Sequence, residues 1–203
     1  MPAMPDRPAP RYTRLTGEGR RAALVEAARA CIARGGIQEF TVDRICAEAG
    51  VSRGLITHHF GSMNALLAAV YAAMYVPATT AAPDHDPARP HLAAMLDAFF
   101  DPAVFNREAL TVWLALWGQV SVKDELAAEH RRRYAEYLGS VTAAIAALAA
   151  ERSRQVDTAS LAAALICLVD GLGVQHCIDP ASMPPARALA LCHALLDPSL
   201  GPF

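Results

Sequence analysis

Arg53 and Gly54, with Thr57 and His58 one helical turn on, share a face and include no large apolar residue. An arginine guanidinium bonds a phosphate or pairs with guanine in the major groove, and Thr and His contact base edges or phosphates. A glycine among them leaves room for another backbone to come close. A second set lies further along the chain. Phe99, Phe100, Trp113, Trp117, Tyr134 and Tyr137 fall together in its middle part, although aromatic residues are only 6% of the total. Aromatic faces attract a quaternary ammonium ion by cation–π attraction. Asp170 sits in a very apolar stretch, where an unpaired carboxylate is costly unless a cation meets it. Both sets have plainer uses: a solvated outer face for the first, core packing for the second.

The elements that must position the first set are two short helices. Thr41 is a hydroxyl residue just ahead of an apolar pattern, the signature of a helix N-cap. Val42, Ile45, Cys46 and Ala49 then recur at helical spacing, and Gly50 stands where a helix ends in a left-handed residue. Ser52 is placed to cap a second helix, whose inward stripe is Leu55, Ile56, His59 and Phe60. Cys46 falls where the two helices approach and a small side chain is required. Two helices joined by a tight Gly-containing turn make a helix-turn-helix, or else an ordinary helical hairpin with a polar outer face.

The run Thr41–Phe60 (TVDRICAEAGVSRGLITHHF), followed by GSMNALL at Gly61–Leu67, resembles the N-terminal domain of the TetR family of transcriptional regulators. Within it the chain is most similar to the choline-responsive repressors of glycine-betaine synthesis (BetI-like), which carry Gly-Ile-Ile-Ser-His-Tyr-Phe where this chain has Gly54–Phe60. Thr57 stands where many relatives have Tyr, Met63 where the family usually has a phosphate-contacting Lys, and Gly173 where the branch tends to have Trp. The resemblance implies a homodimer on double-stranded DNA with a near-palindromic operator, and a small-molecule effector, choline or a related quaternary ammonium compound. The candidate DNA contacts are Thr41, Arg44, Ser52 and Arg53, with Gly54, Thr57, His58 and His59 after them. The candidate effector contacts are Phe99, Trp113, Trp117, Tyr134, Tyr137 and Asp170. Regulators of efflux or other metabolism with a hydrophobic or cationic effector fit the same family.

The chain has 203 residues, 54% hydrophobic and 19% charged, enough for a sizeable core and an oligomer interface. Ala and Leu dominate and no alternating strand pattern appears, so the fold class is all-α. Residues 1–60 carry 9 Arg against 6 acids, while the remainder carries 9 basic and 14 acidic groups. A basic end on an acidic body suits a protein that presents one end to a polyanion. The five cysteines lie inside apolar helical patterns with no CxxC spacing. They read as reduced core residues of a cytoplasmic protein. His176-Cys177 and Cys192-His193 diverge on a helix, so no metal and no cofactor is expected. Residues 1–15 lack a signal peptide's apolar segment, and the apolar run Ala159–Val169 is too short to span a bilayer, so a soluble protein is expected. An all-helical enzyme or carrier is the rival class, but no nucleophile–base pair, HExxH or paired carboxylates appear.

The expected organisation is a disordered basic arm (1–15), a three-helix helix-turn-helix DNA-binding domain (16–62) and a larger helical ligand-binding and dimerisation domain (63–203), about nine helices in all. The first helix, Gly17 to Arg34, turns Leu24, Ala27, Ala28, Cys31 and Ile32 inward, and its Arg20 and Arg21 are within reach of phosphates. Ser62 caps the fourth helix, the mechanical link between the domains, with an inner stripe of Leu66, Leu67, Val70, Tyr71 and Met74. A Pro-rich loop spans Pro77–Pro90. A long helix from Lys123 to Glu151 bears the solvated run Arg131–Arg133. The last two helices, Asp157–Gln175 and one ending at Leu196 before Pro198, are apolar around much of their circumference. Such helices need cover on more than one side, from a symmetric four-helix dimer interface or within one subunit.

Overall fold

The computed structural model describes residues 16–79 and 90–203. The N-terminal arm and most of the Pro-rich loop lie outside the described residues. Within them the chain forms nine α-helices and no strand. They are α1 (Gly17–Gly35), α2 (Val42–Ala49), α3 (Gly54–Phe60), α4 (Met63–Thr79), α5 (His91–Phe99), α6 (Arg107–Val120), α7 (Asp124–Glu151), α8 (Thr158–Ile178) and α9 (Pro185–Leu200).

Local chemistry sets most boundaries. Thr16, Thr41, Ser62, Asn106 and Asp157 each accept a backbone N–H of the following first turn, at 3.2, 3.4, 3.0, 2.9 and 3.1 Å. These groups satisfy donors that the helix itself leaves open. Gly36 and Gly50 end α1 and α2 with φ of 78° and 64°. The inward face expected for α1 is buried in full: Leu24, Ala27, Ala28, Cys31 and Ile32 are at most 5% exposed.

Three boundaries differ from expectation. Ser52 does not cap α3, which begins at Gly54 with Arg53 in helical geometry and no side-chain cap. Instead the Ser52 carbonyl accepts the Leu55 N–H at 3.1 Å, closing a tight turn. Pro77 lies inside α4 rather than in the loop, and Pro198 inside α9 rather than ending it. Proline costs most in a helix interior, and less in the last turn where few bonds remain to be lost.

α1 packs across α2, α4 and α6, and α3 against α4. α4 then passes alongside α7, which also packs on α8, α6 and α5. Cys31, Cys46 and Cys192 are buried, but Cys167 is exposed on α8, against the expectation of a core residue. α8 outruns the Ala159–Val169 apolar run. By length and composition alone it would suffice to cross a membrane. Here it packs on α6, α7 and α9.

A β-carbon on Gly50 would meet nothing within 4 Å, so only its left-handed backbone disfavours a side chain there. Gly50→Ala is expected to destabilise the protein by about 1 kcal/mol. Gly54→Ala, in regular helix with equal space, is expected to stabilise it by a fraction of that. Urea midpoints of the two variants check the pair.

Candidate DNA-reading face and effector pocket

Backbone closes the turn between α2 and α3: the Val51 N–H donates to Cys46 O at 3.0 Å. Ile56 is buried, and Leu55 and Phe60 are half-buried against the core. That packing leaves Ser52, Arg53, Gly54, Thr57 and His58 exposed, with Thr41 and Arg44 exposed on the neighbouring helix start. Gly54 has the same open space as Gly50, so the surface above it is free for a close approach.

His59 departs from this set. It is half-buried, and its Nε2 is enclosed without a hydrogen-bond partner among the described residues. Its position on the inward stripe prevails over its candidacy as a DNA contact. Its carbonyl accepts from Arg21 Nη1 at 2.9 Å, and the Arg21 guanidinium lies 4.2 Å from the Phe60 ring centre. Arg21 thus braces the end of α3 rather than standing ready for phosphate. Two other arginines hold carboxylates: Arg53 Nη2 is 2.5 Å from Asp43 Oδ1, and Arg44 pairs with Glu39.

The second site is a cavity of ≈130 Å³ between α4, α5, α6, α7 and α8. All six candidate effector residues, Phe99, Trp113, Trp117, Tyr134, Tyr137 and Asp170, line it. Tyr75, Phe105, His130 and Gly173 join them. The rings meet mostly edge to face: Tyr75–Trp113 at 5.0 Å and 88°, Phe99–Tyr137 at 5.7 Å and 76°. That packing fixes the walls.

Asp170 is the charged group of this cavity. Burial pushes its carboxyl pKa up to about 6, because the apolar surroundings disfavour the anion. Among the described residues no basic side chain lies within ion-pair distance of it. The same burial raises the Tyr71 and Tyr137 phenols well above their ordinary range. His130 is held below its ordinary pKa, first by burial and then by Arg131, so its imidazole is neutral at neutral pH.

A buried polar chain ties this cavity to α4. The Tyr71 hydroxyl is 2.6 Å from His130 Nδ1 and 3.1 Å from the Tyr75 hydroxyl. One consistent assignment has Tyr71 donating to His130 and Tyr75 donating to Tyr71. Sequence reasoning placed Tyr71 on an inner stripe but missed this chain, whose partners lie 59 residues apart. Gly173 is buried where α8 meets α6, and a β-carbon there would come 3.0 Å from Leu110 Cδ2. A tryptophan would force Leu110 aside, whereas glycine leaves that wall of the cavity open.

Two family profiles match the chain. Residues 24–70 match "Bacterial regulatory proteins, tetR family", and residues 88–201 match "BetI-type transcriptional repressor, C-terminal". The HTH-type transcriptional regulator BetI 2 of Chromohalobacter salexigens is 30% identical over 188 residues, covering 88% of this chain and 87% of that protein. A solved transcriptional-regulator structure from Pseudomonas aeruginosa PAO1 superposes with a TM-score of 0.77 at 35% identity, covering 93% of this chain and 94% of the other. A regulator structure from Saccharomonospora viridis, in complex with choline, superposes with a TM-score of 0.67 at 20% identity, covering 90% and 97% of the two chains.

The raised Asp170 pKa has a defined sign. Between the unfolded value near 4 and the folded value of about 6, the native state binds more protons than the unfolded one. Stability therefore falls as pH rises through that window and carries a constant penalty above it. Relative to wild type, Asp170→Asn is expected to gain stability progressively from pH 4 to 6, by up to about 3 kcal/mol, and then hold level. Denaturant titrations of both proteins from pH 4 to 8 check this.

Proposed function

The chain belongs to the TetR family of bacterial transcriptional regulators, with a BetI-type C-terminal part, and from that premise we propose that it is a homodimeric repressor released from DNA by a small quaternary ammonium compound, choline or a near relative. The family consists of DNA-binding regulators, not enzymes, so DNA is a partner and no catalytic chemistry is assigned. The observation that carries the effector reading is Asp170: a desolvated carboxylate with no basic partner among the described residues, lining one cavity with Tyr75, Trp113, Trp117, Tyr134 and Tyr137. A quaternary ammonium satisfies both parts of that site, by charge pairing and by cation–π attraction, without needing hydrogen-bond acceptors. The cavity volume is near the roughly 150 Å³ of a pocket that takes benzene, which matches a compact guest. The choline complex of the Saccharomonospora viridis regulator supports the same chemistry on the same fold.

The link to DNA runs through α4. A guest that displaces His130 disturbs a partner of the buried Tyr71 hydroxyl, and only two residues separate α4 from the end of α3. Effector and DNA binding then weaken each other by the same factor. Dimerisation is supported by the outward faces of α8 and α9, where Cys167, Ile178 and Leu191 are exposed. A second copy covering them would set two α3 helices roughly 34–36 Å apart on a near-palindromic operator. Such a protein works in the cytoplasm, beside its DNA.

The test is fluorescence anisotropy on DNA upstream of its own gene, at fixed salt, with and without choline. Binding that choline releases is the expected result, and Asp170→Asn is expected to bind DNA but ignore choline. Release only by a bulkier cation would keep the repressor and change the effector, in line with the wall that Gly173 leaves open. Arg53→Ala is expected to lower operator affinity at least about tenfold while the dimer stays intact by light scattering. Unchanged affinity would remove Arg53 from the contact surface.

A further inference from the structure

Arg53 is held before any DNA arrives. Its Nη2 lies 2.5 Å from Oδ1 of Asp43, which sits in the first turn of α2 while Arg53 immediately precedes α3. Both side chains are open to solvent, at 73% and 66% exposure. Their chain neighbours Thr41, Ser52 and Gly54 are exposed as well. An ion pair this exposed adds almost nothing to fold stability. Its effect has to be sought in what Arg53 does next. We infer that Asp43 is a positioning residue that keeps Arg53 aimed at a base edge and so sharpens discrimination between operator and other DNA, an inference that rests on the DNA-reading role proposed above.

Three physical points support it. The guanidinium carries five N–H donors in a planar fork, so one edge can stay on the carboxylate while the other meets a guanine. A long side chain ordered in advance loses less freedom on binding, worth a factor of about 2 to 12 per immobilised side chain. A bare carboxylate beside a phosphate backbone is repelled, so docking on DNA favours keeping the pair closed. Phosphate contact, by contrast, needs no particular guanidinium orientation, and the negative charge of Asp43 opposes it. The carboxylate therefore helps base reading and hinders sequence-independent binding. Arg44 is held in the same way by Glu39, next to the Thr41 cap.

Asp43→Asn tests this in the full-length protein. A duplex is selected by the wild type from a random pool, and affinities for that duplex and for the unselected pool are measured at one salt concentration. The expected result is affinity for the selected duplex about 2- to 12-fold lower per reading head, with pool affinity unchanged or higher. Asp43→Glu is expected to restore part of the lost ratio, and Asp43→Asn is expected to have no further effect in an Arg53→Ala background. An equal rise on both duplexes would mean that Asp43 merely competes with DNA, and would overturn the inference, as would no change on either. A wild type that selects no duplex would overturn the DNA-reading role itself, a separate and recognisable failure.

Discussion

One helix has to satisfy two cores at once. Leu66, Leu67, Val70 and Tyr71 of α4 are 0–1% exposed, covered by α1 and α3 near its start and by α7 along its length. Burial of this kind leaves no slack, because protein interiors pack at close to crystal density. It also makes the Tyr71 hydroxyl a constraint. A buried hydroxyl without a partner costs about 1–3 kcal/mol, and the Tyr71 hydroxyl finds its partners in His130 and Tyr75. Those two partners are also walls of the cavity. Cavity shape and α4 position are therefore one variable.

The cavity shows where the sequence sets stability aside. Asp170 interrupts an apolar helix, and Gly173 gives up helix propensity three residues later. Neither choice helps the fold: the carboxylate is desolvated, and the glycine only spares a contact with Leu110. Departures from local rules that bring no structural gain concentrate at functional sites. The reading face is the counterpart. There two exposed arginines each hold a neighbouring acid.

The head and the body are joined by more than α4. Arg29 of α1 holds Glu26 at 2.6 Å and reaches Glu108 of α6 at 3.7 Å, and Lys123 donates to Asn64 Oδ1 at 3.0 Å. These contacts are exposed and individually weak. Their placement matters more than their strength, because α6 carries both Trp113 and Trp117 between them. Trp113 also packs on Tyr71, with ring centres 5.6 Å apart.

What the sequence determined by itself was local. The caps at Thr41 and Ser62, the left-handed Gly50, the buried face of α1 and the all-helical class each follow from a few adjacent residues, since capping, backbone freedom and helical period act over one or two turns. The six cavity residues were also legible, because aromatic rings and a lone acid in apolar helices stand out from background. Only the tertiary structure decided which groups meet. Tyr75, His130 and Phe105 joined the cavity and Arg21 went to brace Phe60, none of which a period of 3.6 residues reveals. Ser52 lost its capping role to a tighter backbone turn, and Pro77 and Pro198 were tolerated inside helices. The pKa of Asp170 belongs to the same class: desolvation is a property of everything packed around a group, and those groups come from five different helices.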